Sequence, residues 1–153
     1  MKGTIGSVSH GTMLERDLIP CFTDLLEELD NDGEHYRLIL DARHIDPDDY
    51  EEREDLGLVE EISGVLEDLF NALEEYAPDF CYFGSHEGDG SDYGFWPCWE
   101  QIDEEAENGN LIKVEDLADI PDGNTSQVLV INDHGNATLY NPVTEWKEVW
   151  SVA

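Results

Sequence analysis

The sequence predicts an α+β fold, a single domain of residues 1–153 with N-terminal helices packed on a C-terminal antiparallel β-sheet. Apolar residues at helical spacing dominate residues 12–77, and short β-type segments separated by Gly and Asn turns fill residues 80–153. No internal repeat or low-complexity linker divides the chain. A chain of this length buries roughly 68–70% of its unfolded surface, which is enough for one core.

The first helix is predicted to begin near Asp17. Its apolar positions recur every three or four residues, at Leu18, Phe22, Leu25 and Leu29. Pro20 belongs in the first turn of a helix, where its missing N–H would have had no partner. A capping box of Thr12 and Glu15 would start the helix earlier, but it would place Pro20 in the interior.

Two further helix starts follow. Residues 30–44 predict a Gly-containing turn and a short helix, in which Arg37 and Arg43 lie among acids and are expected to form local ion pairs. Residues 46–55 resemble a helix start, with Asp46 as the cap, Pro47 at the first position and acids where the helix dipole favours them.

The longest predicted helix is apolar on one side and acidic on the other. Its core side is formed by Val59, Ile62, Leu66, Leu69, Leu73 and Tyr76. Three acidic pairs lie seven residues apart, and we call them the acidic ridge: Glu60 and Glu61, Glu67 and Asp68, Glu74 and Glu75. The ridge lacks the Lys partners that would stabilise a helix by roughly 0.2–0.5 kcal/mol per pair, so helix stability does not explain it.

The second half of the chain predicts mainly strands. Residues 80–99 predict two aromatic strands joined by a Gly-rich acidic loop, and their aromatic side chains are expected in the core: Tyr82, Phe83, Tyr93, Phe95, Trp96 and Trp99. A short helix then ends at Asn108 and Gly109. Strands are expected at 111–114, in a hairpin over 127–140 with its first strand buried on both faces, and at 145–152.

The charge is strongly one-sided. The net charge is −31, yet 40% of the residues are apolar, which argues against a disordered acidic tail. No Lys or Arg occurs between Arg53 and Lys113. Such a negative field attracts cationic partners and repels nucleic acid, so direct nucleic-acid binding is not expected.

The cysteines and the hydropathy predict a cytoplasmic protein. The three cysteines have no CxxC spacing and leave one unpaired in any disulfide scheme. The first twelve residues lack an apolar signal core, and no segment approaches the roughly 18 apolar residues needed to cross a bilayer. We therefore expect no membrane association.

Catalytic and metal motifs are scarce. His86, Glu87, Asp89 and Asp92 offer possible metal ligands, but their spacing does not fit an EF-hand, and a hairpin loop is favoured. Adjacent Asp and His at positions 133 and 134 lie in a predicted tight turn without a visible nucleophile. Because no P-loop, GxSxG, GxGxxG or HExxH motif occurs either, we expect neither an enzyme nor a bound metal or cofactor.

The linear density of negative charge in one segment is close to that of a DNA strand. Residues 46–76 contain thirteen acids and one base. If this stretch were helical throughout, it would carry about one charge per 4 Å, against one per roughly 3.4 Å along a DNA strand. The predicted partner-binding residues are therefore the acidic ridge with four preceding acids, namely Asp48, Asp49, Glu51 and Glu52.

Three segments, "SHGT…DLIP", "CYFGSHEGDGSDYGFWP" and "VINDHGNATLY", resemble small uncharacterised acidic proteins of phages and mobile elements. In size and composition the chain also resembles phage DNA mimics, including anti-restriction and some anti-CRISPR proteins. The resemblance implies a non-catalytic inhibitor that blocks the DNA- or RNA-binding groove of a host defence enzyme. Its partner would be a basic nucleic-acid-binding protein or complex in the host cytoplasm, and the sequence does not predict the oligomeric state.

Two alternatives remain. An immunity protein or antitoxin that neutralises a nuclease or a basic toxin would use the same charge. Halophilic adaptation would instead use acids to keep the surface hydrated, and it predicts acids on every face of a domain of unrelated function.

Overall fold

The computed structural model describes residues 1–142 and 147–153 and confirms the predicted α+β class. Its helices are α1 (Glu15–Leu29), α2 (Tyr36–Arg43), α3 (Leu56–Glu74) and α4 (Trp99–Glu107). Its strands are β1 (Gly6–Ser9), β2 (Cys81–His86), β3 (Asp89–Pro97), β4 (Leu111–Val114), β5 (Gln127–Ile131), β6 (Ala137–Asn141) and β7 (Lys147–Val152). Short 3-10 helices span Pro47–Glu51 and Leu117–Asp119.

The chain forms two compact units. The first contains Met1–Gly3, Ser7–Ala77 and Phe83–Phe95, and therefore helices α1 to α3. The second contains Thr4–Gly6, Pro78–Tyr82 and Trp96–Ala153, and therefore α4 and strands β4 to β7. Part of the segment predicted as β-rich, residues 83–95, thus belongs with the helices in the first unit.

Helix α1 begins two residues earlier than predicted and contains Pro20 in its interior. The prediction near Asp17 was wrong because packing outweighs the local penalty of the proline. Leu18, Ile19 and Phe22, on either side of Pro20, are buried completely or almost so. Burial of such side chains contributes about 1.5–3 kcal/mol each, against about 3 kcal/mol for an interior proline.

Residues 46–76 are not one continuous helix. Asp46 caps the 3-10 turn that starts at Pro47 by accepting a hydrogen bond from the backbone N–H of Asp48 at 3.0 Å, as the sequence predicted. Helix α3 then starts separately, capped by Asp55, which accepts from the N–H of Leu58 at 3.1 Å. The spacing estimated for a continuous helix therefore does not apply, and α3 itself carries five acids in 19 residues, about one per 6 Å at a rise of about 1.5 Å per residue.

The core of the first unit forms where α1 and α3 meet the aromatic strands. On α3, the predicted core positions Ile62, Leu69 and Leu73 are buried, and Val59, Leu66 and Tyr76 are half-buried. The ring of Phe22 lies 5.1 Å from the rings of both Phe70 and Phe83, in edge-to-face geometry that favours aromatic pairs.

Strand β3 lies between β1 and β2 in a three-stranded sheet. The strand β1 was missed, because the N-terminal segment is rich in Gly, Ser and Thr and lacks an apolar alternation. Gly3, just before it, is required by close packing, since a Cβ there would lie 2.3 Å from Cε2 of Phe95. Phe83, Tyr93 and Phe95 are buried as predicted, whereas Tyr82, Trp96 and Trp99 are half-buried.

The second unit contains a four-stranded sheet in the order β4-β5-β6-β7. The predicted hairpin of β5 and β6 is antiparallel, and so is the pair β6 and β7. Strand β4 instead pairs with β5 in parallel, because residues 115–126 are long enough to cross over, which takes about a dozen residues. Of the predicted closing strand, Glu145 and Trp146 lie outside the described residues.

The core of the second unit is formed by one face of this sheet and helix α4. Ile102 of α4 is fully buried against Leu111, Leu129, Leu139 and Trp150. Burial of both Val128 and Leu129, which point to opposite faces, confirms that β5 is covered on both sides. Helix α4 ends at the predicted residues, with Asn108 as C-cap followed by Gly109 at φ +78°.

Candidate partner-binding surface

The acidic ridge lies along the exposed face of α3. All six of its carboxylate side chains are exposed, and they lie opposite the buried Ile62, Leu69 and Leu73. The helix positions them because residues seven apart fall on nearly the same side of a helix of 3.6 residues per turn. Five ridge residues belong to α3 itself, and Glu75 is its C-cap.

Four members of the ridge have no side-chain partner among the described residues. Within residues 1–142 and 147–153, no hydrogen bond or ion pair involves their side chains, and we call them the central carboxylates: Glu60, Glu61, Glu67 and Asp68. They lie in the second to fourth turns of α3. Their negative charge is therefore not neutralised within the described chain and is available to a cationic partner.

The last pair of the ridge, Glu74 and Glu75, forms contacts with other parts of the first unit. Oε2 of Glu74 accepts a hydrogen bond from the backbone N–H of Phe83 at 2.6 Å. Oε2 of Glu75 lies 3.3 Å from Nε2 of His35, and its backbone carbonyl accepts from Nζ of Lys2 at 3.2 Å. Sequence spacing cannot separate these residues from the rest of the ridge, because their partners are distant along the chain.

Of the four acids that precede the ridge, two have side-chain partners in the described structure and two do not. Glu51 forms an ion pair with Arg16 at 2.7 Å. Glu52 accepts hydrogen bonds from the backbone N–H groups of residues 54, 55 and 53, which lower the pKa of its carboxyl below the ordinary value. Asp48 is exposed, and Asp49 is half-buried at the edge of a groove.

That groove lies between α2 and α3 and has a volume of about 510 Å³. Its floor is apolar and consists of Ile45, Leu58, Ile62 and Val65, with Gly64 beside them. Its acidic rim consists of Asp41, Asp49, Glu61 and Asp68. We call this the α2–α3 groove. Sequence analysis missed it, although a glycine inside an otherwise regular helical pattern was a usable signal.

The two arginines of α2 are engaged with acids, whereas His44, which also lines the groove, has no side-chain partner in the described structure. Nε of Arg37 lies 3.2 Å from Oδ1 of Asp41, which confirms the predicted local pair. The prediction of a local pair for Arg43 was wrong, because its Nη2 contacts Asp24 at 2.6 Å and Glu27 at 2.8 Å, which lie 19 and 16 residues away on α1. The positive charge of Arg37 therefore offsets the negative charge of Asp41. The carboxylates of Asp49, Glu61 and Asp68 give the rim its remaining negative charge.

The hairpin loop considered as a metal site is organised by its own hydrogen bonds. Oδ1 of Asp89 accepts from the backbone N–H of Ser91 at 3.0 Å and from its hydroxyl at 2.8 Å, and these bonds lower the pKa of Asp89. Oδ2 of Asp89 lies 3.1 Å from Nε2 of His10. Ser7 donates to Asp92, and the backbone N–H of Gly88 donates to Nδ1 of His86.

A different cluster in the described chain has the ligand types that a metal needs. One ligand atom each from Glu34, His35 and Glu75 lies within 4.8 Å of the others. Asp30 organises this corner by accepting from the backbone N–H groups of Glu34 and His35 at 3.0 and 2.9 Å, and from the hydroxyl of Tyr76 at 3.3 Å. The contact between Nε2 of His35 and Oε2 of Glu75 at 3.3 Å accounts for the proximity of those two side chains.

The adjacent Asp133 and His134 lie in the β5–β6 turn. Nε2 of His134 is 3.6 Å from Oδ1 of Asp133, and both side chains are exposed. Asn132 builds the turn by accepting from the backbone N–H groups of His134 and Asn136, each at 3.0 Å, and Gly135 adopts φ +81°. This geometry explains the residues as turn formers.

Comparisons with protein-family models, curated proteins and solved structures found no match. Among the described residues, no helix combines the length and the hydropathy required to cross a bilayer.

Proposed function

We propose that the protein is a non-catalytic inhibitor that imitates nucleic-acid charge and occupies the basic DNA- or RNA-binding groove of a host defence enzyme. The observation that carries the proposal is the set of four central carboxylates, which are exposed and unpaired within the described chain on one face of α3. The partner is a basic nucleic-acid-binding protein or complex of the host cell, of the kind blocked by anti-restriction or anti-CRISPR proteins. The site of action is the host cytoplasm.

The spacing of the central carboxylates supports the imitation. Residues 60–68 span about 12 Å of helix at 1.5 Å per residue, so these carboxylates supply about one charge per 3–4 Å. One strand of DNA supplies one per roughly 3.4 Å. A groove that binds a phosphate backbone through Lys and Arg would therefore meet a similar linear charge density on α3.

The energetics of the helix support a role outside folding. No Lys or Arg lies three or four residues from any central carboxylate, so these residues lack the opposite-charge pairs that would stabilise the helix by roughly 0.2–0.5 kcal/mol each. The central carboxylates have neither capping nor ion-pair roles in the described structure. A cationic partner would gain fast association from such a field, and the association would weaken with salt.

One observation favours the halophilic alternative. Acids without described partners are also exposed in the second unit, on α4 and directly after β4, at Glu100, Glu104, Glu107 and Glu115. If hydration were the purpose, the protein would need molar salt to fold. A cooperative melt at low ionic strength would contradict halophilic adaptation and leave the inhibitor proposal standing.

The test begins with capture of the partner from host lysate at low salt, followed by competition with nucleic acid. Replacement of the central carboxylates by amides, in Glu60→Gln, Glu61→Gln, Glu67→Gln, Asp68→Asn, should reduce affinity at least about a hundredfold. The matched control removes the same charge from the second unit, through Glu100→Gln, Glu104→Gln, Glu107→Gln, Glu115→Gln. It should bind nearly as the unmodified protein does.

Three results would overturn the proposal. They are equal loss in both quadruple variants, affinity that does not change with salt, and a captured partner without any nucleic-acid role. Capture of a nuclease toxin encoded beside this protein would instead support the immunity alternative, since the same surface would then neutralise a toxin.

A further inference from the structure

We propose that the α2–α3 groove receives an apolar side chain from a Lys- or Arg-rich amphipathic segment of the protein partner. This inference rests on the proposed function and deepens it, because Glu61 and Asp68 belong both to the central carboxylates and to the rim of the groove. It adds a contact that charge imitation alone does not require, namely an apolar anchor beside the ionic contacts.

The floor of the groove suits an aliphatic or aromatic side chain. Ile45, Leu58 and Val65 are half-buried and Ile62 is buried, so the floor is apolar surface that the fold leaves partly uncovered. A volume of about 510 Å³ is within the range of ligand sites, roughly 300–1,000 Å³. Apolar pockets that bind one anchoring side chain commonly carry much of the affinity of an interface.

Gly64 keeps the floor open. A glycine inside a helix is less favourable than alanine, because glycine loses more backbone entropy on folding. No steric reason for it exists in the described structure, because a Cβ at position 64 would have no heavy atom within 4 Å and φ is not positive. The position lines the groove, so a long side chain there would occupy part of the space. An open groove is the structural result of this glycine.

The rim decides what kind of segment enters. Asp49, Glu61 and Asp68 surround an apolar floor, and Arg37 is already paired with Asp41. A nucleic acid would be repelled by these carboxylates, and so would a second copy of this chain with its net charge of −31. A segment in which Lys or Arg flanks a Leu or Phe fits both parts of the groove, because its cations contact the acidic rim and its apolar side chain contacts the floor. Amphipathic helices that bind grooves combine contacts in this way.

The probe for the test is a synthetic helical peptide of Lys and Leu, compared with a peptide of equal charge in which Ser replaces Leu. Fluorescence anisotropy of labelled peptides measures both affinities. The Lys/Leu peptide should bind the unmodified protein about tenfold or more tightly than the Lys/Ser peptide, because one buried aliphatic side chain accounts for a factor of that order. Equal affinities would overturn the inference.

The variant Gly64→Leu occupies part of the groove without changing any charge. It should remove the preference for the Lys/Leu peptide while binding the Lys/Ser peptide as before. The variant Gly64→Ala, with its Cβ in open space, is the folding control and should melt at the same or a higher temperature. A Gly64→Leu protein that is folded and still prefers the Lys/Leu peptide would also overturn the inference.

Binding of the captured partner to the two variants distinguishes failure of the charge proposal from failure of the groove inference. If the amide variant of the central carboxylates loses the partner and Gly64→Leu keeps it at full affinity, the charge proposal stands and the groove inference fails. If the amide variant keeps the partner at full affinity, the charge proposal fails, and the groove is then judged by the two peptides alone.

Discussion

The carboxylate of Glu74 accepts a hydrogen bond from the backbone N–H of Phe83 at 2.6 Å, which joins the last turn of α3 to strand β2. Replacing Glu74 by Ala leaves that N–H without its partner, so we expect the free energy of unfolding to fall by about 1–3 kcal/mol. Glu67→Ala, seven residues earlier and without a partner in the described structure, should change it by less than about 0.5 kcal/mol. Urea unfolding measures both, and equal effects would contradict the assigned role of Glu74.

The two leucines of α3 should differ in their contribution to stability. Leu69 is fully buried, so Leu69→Ala should lower the free energy of unfolding by about 2–5 kcal/mol. Leu66 is half-buried, and Leu66→Ala should have a clearly smaller effect because part of its surface is already in water. Denaturant titration of the two variants tests the burial pattern, and a larger loss at Leu66 would refute it.

Arg37 should oppose the binding of a cationic partner. It is the arginine that lines the α2–α3 groove, its side chain is 88% exposed, and it offsets the charge of Asp41. Arg37→Gln should therefore tighten binding of the captured partner and of the Lys/Leu peptide at low salt, with little change in melting temperature. Weaker binding by this variant would show that the groove accepts an anionic or neutral group.

Tyr76 should make the first unit sensitive to alkaline pH. Burial, the charge of Asp30 and the hydrogen bond to Asp30 raise the pKa of its hydroxyl to about 12, against 10.0 for an ordinary tyrosine. The unfolded chain then releases this proton first, so the contribution to stability is complete below pH 10 and is lost as the pH rises towards 12. Urea unfolding at a series of pH values should show that decline.

Tyr76→Phe is the control for the alkaline effect. This variant cannot ionise at position 76, so its stability should fall less steeply above pH 10. Some decline should remain because burial also raises the pKa of Tyr50. Identical pH profiles for the two proteins would contradict the assignment to Tyr76.

The helical half of the fold was largely predictable because local patterns determine it. The periodic apolar residues of α3, the Asp46 cap and the glycine after α4 each act within a few residues of their position. The start of α1 was not predictable by the same rules. There, the burial of Leu18, Ile19 and Phe22 outweighs the local preference of Pro20, and burial depends on residues distant in sequence.

The candidate surface was only partly predictable for the same reason. Spacing alone placed the six ridge acids on one exposed face of α3. It could not show that Glu74 contacts the backbone N–H of Phe83 and that Glu75 contacts His35, because these partners are nine and forty residues away. The α2–α3 groove was also hidden, because its lining combines two helices and the turn between them.

The division into two units gives each a separate optical signal. Three of the four tryptophans, at positions 96, 99 and 150, belong to the described part of the second unit, and the residues of the first unit include no tryptophan. Helices α1 and α3, with 15 and 19 residues against nine in α4, give the first unit most of the far-ultraviolet circular dichroism. Indole emission and ellipticity, recorded on one sample during denaturation, therefore follow different halves of the molecule. Superimposable curves would mean that the halves unfold together, and separate midpoints would mean that each has its own stability.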